Sequence, residues 1–364
     1  MLTPEGLKHS SAKLFPAGTL LMAMYGATVG RTAILRMDAA TNQAVCAIFP
    51  NSESADADFL RYFLIGERQE LLKQRYGGAQ PNISQNVIRN FPVRLPPLSE
   101  QRKIAGVLGL VQRAMEQQER LLALTAELKK ALLHQLFTAG LRSESQKQTD
   151  IGPVPQSWEV ATLEDAAIAF DYGTSVKCEH GKAGVAVLRI PNVVGGSIDL
   201  TDLKHGQPKR SELNDLSLKT GDLLFVRTNG VLENAGRCAL YRGELEGCYF
   251  ASYLIRVRVD SSKVLPAFVN EYARTERGRS FLSGRAIRTA DGKFNINSGT
   301  LKRVLLPLPS LDEQKEIVRQ LDLVGRKLKL HERKHAALTA LFRTLLHELM
   351  TAQIRVHDLS PDGL

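Results

Sequence analysis

Two short clusters carry side chains at spacings used in catalysis. His331-Glu332-Arg333-Lys334-His335 sets two imidazoles four residues apart with a carboxylate between them. On a helix that spacing puts two zinc ligands and a general base on one face. Three observations argue against a metal there. The chain repeats itself at an offset of 213, and the matching residues, Gln118 and Leu122, cannot ligate zinc. The segment reads as a long, charged, solvated helix and not as a pocket wall. No third ligand stands at a suitable position in the tail. Gly26-Ala-Thr-Val-Gly30-Arg31-Thr32 resembles a phosphate loop, yet it has three residues between its glycines and Arg where Lys is needed. No Gly-x-Gly-x-x-Gly follows a strand, and there is neither an Asn/Asp-Pro-Pro-Tyr/Phe nor a Gly-x-Ser-x-Gly motif. An enzyme acting alone is the weakest reading.

The elements that must carry any other chemistry follow from the repeat. Residues 82–142 return at 295–355 without a gap. Asn82-Ile83 answers Asn295-Ile296, and Leu95-Pro96-x-Leu98-x-Glu100-Gln101 answers Leu308-Pro309-x-Leu311-x-Glu313-Gln314. Leu132-Leu133-His134-x-Leu136 answers Leu345-Leu346-His347-x-Leu349. A period of this size is not a solenoid of units of roughly 20–50 residues. It is a whole domain with its helix, used twice.

Pro96-Pro97 followed by Ser99-Glu100-Gln101 signals a helix start, and no proline interrupts the chain from there to Ala139. Ile104, Leu108 and Val111, then Leu128, Leu132 and Leu136, predict an amphipathic helix of about 40 residues, roughly 60 Å long. Its twin carries Ile317, Leu321 and Val324, then Leu341, Leu345 and Leu349. Two such stripes can pair as a coiled coil. His134 and His347 recur at matching places and suggest an interhelical or subunit contact. Gly140 ends the first helix, and Ser143–Asp150 reads as a linker.

Between the helices, 151–308 reads as mixed structure with short strands at Val185–Ile190, Asp222–Arg227 and Tyr253–Val259 and a helix at Leu265–Ser280. The segment 1–95 repeats only the later part of this domain. Gly18-Thr-Leu-Leu21 answers Gly221-Asp-Leu-Leu224, and Gly30-Arg31-Thr-Ala33 answers Gly236-Arg237-Cys-Ala239. Nothing answers Trp158–Leu203, so the first copy reads as truncated at its N-terminus, with exposed core edges.

A recognition-type domain, a Pro-Leu-x-Glu-Gln helix, Gly152-Pro153-Val-Pro155-Gln-Ser-Trp158, a second domain and a second helix follow in that order. This arrangement resembles the specificity subunit of type I restriction–modification systems. The resemblance covers nearly the whole chain. It implies an α+β fold with two target recognition domains, the first incomplete, separated by two long helices paired as an antiparallel coiled coil. The domains would be 1–95 and 151–308, with spacer helices at 96–142 and 309–355, a linker at 143–150 and a tail at 356–364. It also implies a subunit without a catalytic site. Each recognition domain would read one half of a split double-stranded DNA target, and the helices would dock adenine-methyltransferase subunits, which restriction subunits join. S-adenosylmethionine, ATP and Mg would be bound by those partners and not by this chain, and the complex would be cytoplasmic.

Base reading needs donors and acceptors at groove edges, and register needs Lys and Arg on phosphates. In the second domain the candidates are Lys177, Arg189, Asn192, Lys209, Arg210, Arg227, Thr228, Asn229, Arg285, Arg288, Lys293 and Asn295. Arg227-Thr228-Asn229-Gly230 joins a strand end and a Gly turn to three hydrogen-bonding side chains. In the first domain Tyr25 and Thr28 occupy the equivalent loop, with Arg31 beyond it and Arg75 ahead of the Asn-Ile turn. Solvated surface charge is the bland alternative for each of these residues, and Asn82 and Asn295 also fit turns that orient a domain on its helix. Arg113, Arg120, Lys129, Lys130, Arg326 and Arg333 would face partners or phosphates from the helices.

Composition agrees with this reading. A net charge of +10 and a pI near 9.5 favour a polyanionic partner, nucleic acid ahead of membrane. No apolar run is long enough to span a bilayer. Four cysteines without a Cys-x-x-Cys pair read as reduced thiols, not a zinc site. Two other readings stay open, a silent cassette that donates its recognition domain and a helical scaffold without DNA affinity.

Overall fold

The computed structural model describes residues 4–10, 12–74, 82–142, 144–181 and 184–358. In chain order the elements used below begin with β1 (Leu20–Ala23), β2 (Thr32–Ile34), β3 (Val45–Ile48), α1 (Ala57–Gly66) and α2 (Leu98–Thr138). Next come β4 (Gln146–Thr149), β5 (Gly152–Pro155), β6 (Glu159–Thr162), β7 (Ala167–Tyr172), β8 (Val185–Leu188), β9 (Leu223–Val226), β10 (Thr228–Asn229), β11 (Cys238–Leu240) and β12 (Leu254–Val259). The last are α3 (Pro266–Tyr272), α4 (Glu276–Ser283), β13 (Ile287–Arg288), β14 (Phe294–Asn295), β15 (Leu305–Leu308) and α5 (Leu311–Met350).

The chain forms two compact units, Met1–Ala123 with Leu330–Leu364, and Leu124–Lys329. Each contains a mixed α+β domain and one half of each long helix. In unit 1 the antiparallel sheet runs β2-β1-β3. Over it lies α1, whose first turn is capped by Asp56 accepting the Phe59 N–H at 2.9 Å. Leu20, Met22, Phe59, Phe63, Ile83, Ile104, Leu108, Leu346 and Leu349 share one core.

The sheet of unit 2 runs β11-β9-β12-β7, all antiparallel. β9 is covered on both faces. Leu223 and Phe225 enter a core with Trp158, Phe268, Ile317 and Leu321, while Leu224 and Val226 enter a second with Phe250 and Leu254. That is why its sequence is apolar without alternation. The two sheets share one register. Leu20 lies opposite Ile34 and Ile48 as Leu223 lies opposite Leu240 and Val257.

Two sequence expectations change here. The segment read as a linker contains β4, which pairs with β5 from Gln146↔Pro155 to Thr149↔Gly152. The helix read at Leu265–Ser280 is two helices, because the Thr275 hydroxyl bonds the Tyr272 carbonyl and caps the Gly278 N–H, starting a new helix.

Within each unit the halves of α2 and α5 run antiparallel. In unit 1 Gln118 meets His331 and Glu100 meets Arg355; in unit 2 Leu141 meets Glu313. Ile104, Leu108, Val111, Leu136, Ile317, Leu321 and Leu349 are buried, and Leu132, Val324 and Leu345 are half-buried. Leu128 and Leu341 are corrections. They are 55% and 45% exposed. A run of i+4 steps drifts around a helix of 3.6 residues per turn. The inner face instead follows 4-3-4 steps, through Thr125, Lys129, Leu132 and Leu136 on α2 and Leu338, Phe342, Leu345 and Leu349 on α5.

Lys129 is therefore not a free surface cation. It is half-buried, and burial, helped by Arg274, pushes its ammonium below the usual range. His134 and His347 do not join the seam, since both side chains are exposed. α2 ends with Gly140 in the left-handed region at φ +66°, whereas the end of α5 places Ala352 at φ 58°. A side chain there costs on the order of 1 kcal/mol.

Candidate nucleic-acid interface

Three candidate segments, separated in sequence, meet in one ribbon. β10, β14 and β13 form a three-stranded sheet in that order. Its register sets Thr228 opposite Asn295, Asn229 opposite Phe294, Ile287 opposite Asn295 and Arg288 opposite Phe294. The Asp291-Gly292 turn, with Gly292 at φ +79°, closes the β13–β14 hairpin. Arg227, Thr228, Asn229, Arg288, Lys293 and Asn295 are thus gathered on one small element.

Arg227 is held by its neighbours. Its guanidinium lies 4.9 Å from the centroid of the Tyr172 ring, and Nη1 donates to the Ser252 carbonyl at 3.3 Å. Its buried Nε has no hydrogen-bond partner. Tyr172 is in turn fixed through its hydroxyl, which donates to Ser298 Oγ at 3.2 Å and accepts from the Ser298 N–H at 3.0 Å. Sequence reasoning passed over Tyr172, which stands in a strand far from Arg227 in the chain. Asn229 shapes the loop by accepting the Val231 N–H at 3.0 Å. Lys293 reaches Asp291 at 2.7 Å, a contact that with Thr289 holds the Asp291 carboxyl down at about 2. Arg285 is exposed and stacks on Phe281 at 3.8 Å. Exposed apolar groups stand among these cations, namely Tyr253, Ile287 and Val231.

Unit 1 repeats the frame with other side chains. Tyr25 bridges Asn82 as Thr228 pairs with Asn295. The Ile83 N–H donates to the Met24 carbonyl as the Ile296 N–H donates to that of Arg227, both at 2.9 Å. Met24, which is buried, therefore takes the place of Arg227. Tyr25, Thr28 and Arg31 are exposed on the loop. Arg75 lies outside the described residues.

These contacts explain the Asn-Ile motif. The Asn pairs with the loop that carries Tyr25 or Thr228, and the Ile fills the core. The residue after it, Ser84 or Asn297, caps the next helix at Val87 or Thr300.

The other candidates do not join the ribbon by any strand pairing among the described residues. Arg189 and Asn192 are corrections. Asn192 is 1% exposed, accepts the Arg189 N–H and donates to the Asp199 carbonyl, while Arg189 pairs with Asp202 at 2.7 Å. The pair ties a loop together, although the buried Arg189 Nε, like that of Arg227, has no hydrogen-bond partner. Lys177 is exposed and paired with Glu179 at 2.7 Å. Lys209 and Arg210 are exposed at the start of helix Arg210–Asp215.

The His-Glu-x-x-His segment also differs from expectation. His331 is 8% exposed and meets Gln118 at 2.8 Å, and His335 meets Glu119 at 3.1 Å. The imidazoles serve helix pairing. Among the described residues no group of three or more His, Cys, Asp or Glu side chains is placed to hold a metal.

The glutamines of the Leu-Pro-x-Leu-x-Glu-Gln motif form a joint that the sequence showed only as a helix start. Gln101 and Gln314 are both 0% exposed. Gln101 accepts the Asp56 N–H at 2.8 Å and donates to the Ser54 and Pro96 carbonyls at 2.9 and 2.8 Å. Gln314 accepts the Leu265 N–H at 2.8 Å and donates to the Lys263 and Pro309 carbonyls at 3.2 and 2.9 Å. Each glutamine fastens a long helix to the start of α1 or α3 in its own unit.

The same frame thus occurs twice, with different loop side chains on each copy. Residues 1–126 and 214–340 match the type I restriction modification DNA specificity domain. The chain belongs to this family. The specificity subunit of the type I restriction enzyme MjaVIII from Methanocaldococcus jannaschii is 25% identical over 305 residues, covering 83% of this chain and 71% of its own. The specificity subunit of EcoKI from Escherichia coli K12 is 24% identical over 332 residues, covering 88% and 70%. The fold is similar to that of the type I restriction–modification S subunit of M. genitalium. That structure has a TM-score of 0.64 at 17% identity and covers 93% of this chain and 84% of its own. These relatives are specificity subunits, and no catalytic family is indicated. No helix among the described residues is long and apolar enough to cross a membrane.

Proposed function

We propose that this chain is the non-catalytic DNA-recognition subunit of a type I restriction–modification complex. Each unit reads one half of a split double-stranded target, and the paired helices dock adenine-methyltransferase subunits that restriction subunits join. S-adenosylmethionine, ATP and Mg are held by those partners, and the assembly works in the cytoplasm.

The observation that carries this reading is the ribbon of β10, β14 and β13. It gathers Arg227, Thr228, Asn229, Arg288, Lys293 and Asn295 from three segments, with a buried Arg227 Nε left unsatisfied. Arg and Asn are the side chains suited to bidentate contacts with guanine and adenine. The exposed cations Lys177, Lys209, Arg210 and Arg285 would contact phosphates. In unit 1 the same frame presents Tyr25, Thr28 and Arg31, so the two half-sites differ. Coexpression with its methyltransferase subunit and mapping of adenine methylation tests the proposal. A split, asymmetric motif is expected. Absent methylation, or a pattern confined to one half-site, would reject reading by both units and favour the cassette.

A further inference from the structure

The two units keep the same cations beside their long helices but not the same carboxylates. In unit 2, Arg242 just beyond β11 meets Asp322 of α5 at 3.8 Å. On the same helix Lys315 meets Asp312 at 3.0 Å. The sheet register, with Ile34 answering Leu240, makes Arg36 the counterpart of Arg242. The helix offset of 213 makes Arg102 the counterpart of Lys315. Both cations are kept in unit 1. Their carboxylates are not, because Asp322 and Asp312 answer to Gly109 and Ser99.

The result is an open basic groove of about 460 Å³ along α2, lined by Arg36, Arg61, Arg102 and Arg113, with Gly106 and Gly109 on the helix side. A Cβ on Gly109 would stand 3.3 Å from Arg113 Nη1 and 3.5 Å from the Tyr62 hydroxyl. Both groups therefore border the place that a carboxylate like that of Asp322 would take. Arg61 is fixed, stacked on the Tyr62 ring at 4.2 Å and donating to Gln112 Oε1 at 2.7 Å. Arg36, Arg102 and Arg113 are exposed and make no hydrogen bond or ion pair among the described residues. The acids of the groove are already engaged. Asp56 caps α1, Asp58 lies 4.0 Å from Arg61, and Glu116 accepts from Gln112 at 2.8 Å.

We propose that this groove docks an acidic segment of a partner protein, whose carboxylates take the places that Asp322 and Asp312 fill in unit 2. Guanidinium groups without an anion gain charge-assisted hydrogen bonds from such a ligand. A carboxylate is favoured over a DNA phosphate because the same frame already closes on one in unit 2. The two model carboxylates are ten residues apart on one helix, about 15 Å, so the ligand is a chain and not a single small anion. The site is separate from the ribbon of β10, β14 and β13 and requires nothing of base reading.

The test titrates fluorescein-labelled hexaglutamate into the full chain, followed by anisotropy, at about 150 mM salt, where distant surface charge is screened. One saturable site is expected. Gly109→Asp supplies the carboxylate from within, and Arg36→Gln changes an exposed residue with no described partner. Each should weaken binding at least about tenfold. Arg242→Gln, the matching change in unit 2, should leave binding unaltered. Amide exchange should slow over 102–113 and not over 315–326. Absent binding, equal loss with Arg242→Gln, indifference to Gly109→Asp and Arg36→Gln, or protection elsewhere would overturn the proposal. So would displacement of the peptide by duplex DNA that itself protects 102–113, which would assign the groove to phosphates.

Discussion

Replacing Arg227 with Ala removes a guanidinium that Tyr172 and Ser252 hold in place, and little else, because the side chain is only half-buried. Methylation specificity at one half-site should relax by about 1–3 kcal/mol of discrimination while methyltransferase docking persists. Methylome mapping of the variant tests this, and an unchanged motif would remove Arg227 from the reading surface. Gln314→Leu acts on the joint instead. It strands the Leu265 N–H and two carbonyls in a fully buried site, at a cost of about 2–4 kcal/mol readable by urea denaturation. Stability also depends on alkaline pH. Burial pushes the Cys248 thiol from 9.0 and the Tyr272 hydroxyl from 10.0, each up to about 12. Above pH 9 the unfolded chain releases these protons first, so stability should fall as pH rises from 9 to 12. A melting temperature flat across that window would contradict this.

The long helices pair through a face narrower than their apolar content suggests. Leu321 is fully buried and Leu341 is half-exposed. Leu321→Asp should therefore cost at least about 3 kcal/mol and abolish complex formation, whereas Leu341→Asp should stay within about 0.5 kcal/mol. Equal effects in chemical denaturation would mean that the seam runs elsewhere. The existence of both helices was legible because an unbroken apolar repeat without proline has few other outcomes. Leu128, Leu341 and Lys129 were misplaced because inner and flanking faces differ by one residue in each turn. The helix expected over Leu265–Ser280 failed for a comparable local reason. Thr275 offers a cap in mid-segment, and propensity alone does not reveal whether a cap is used.

At the scale of the whole molecule, the repeat made the paired architecture readable, since two gapless copies must fold alike. The proposed reading surface was only partly legible. Arg227, Thr228 and Asn229 stood out beside a Gly turn, but their assembly with Arg288, Lys293 and Asn295 depends on strand pairing between residues some sixty positions apart. Arg189 and Asn192 looked equally suitable as polar loop residues, and only burial distinguishes them. The net charge of +10 predicts binding to duplex DNA that weakens with salt. If six or more phosphates are neutralised, affinity should fall on the order of a thousandfold between 50 and 200 mM salt. A salt-independent titration would favour a scaffold without DNA affinity.

All six partners of Gln101 and Gln314 are backbone atoms, and the side chains at those points already differ, Ser54 and Asp56 in one copy and Lys263 and Leu265 in the other. The fastening is therefore blind to sequence. A reading module can change its surface, or be exchanged for another, without refitting the socket that receives it. In such a molecule target preference can diversify quickly while the mounting stays constant.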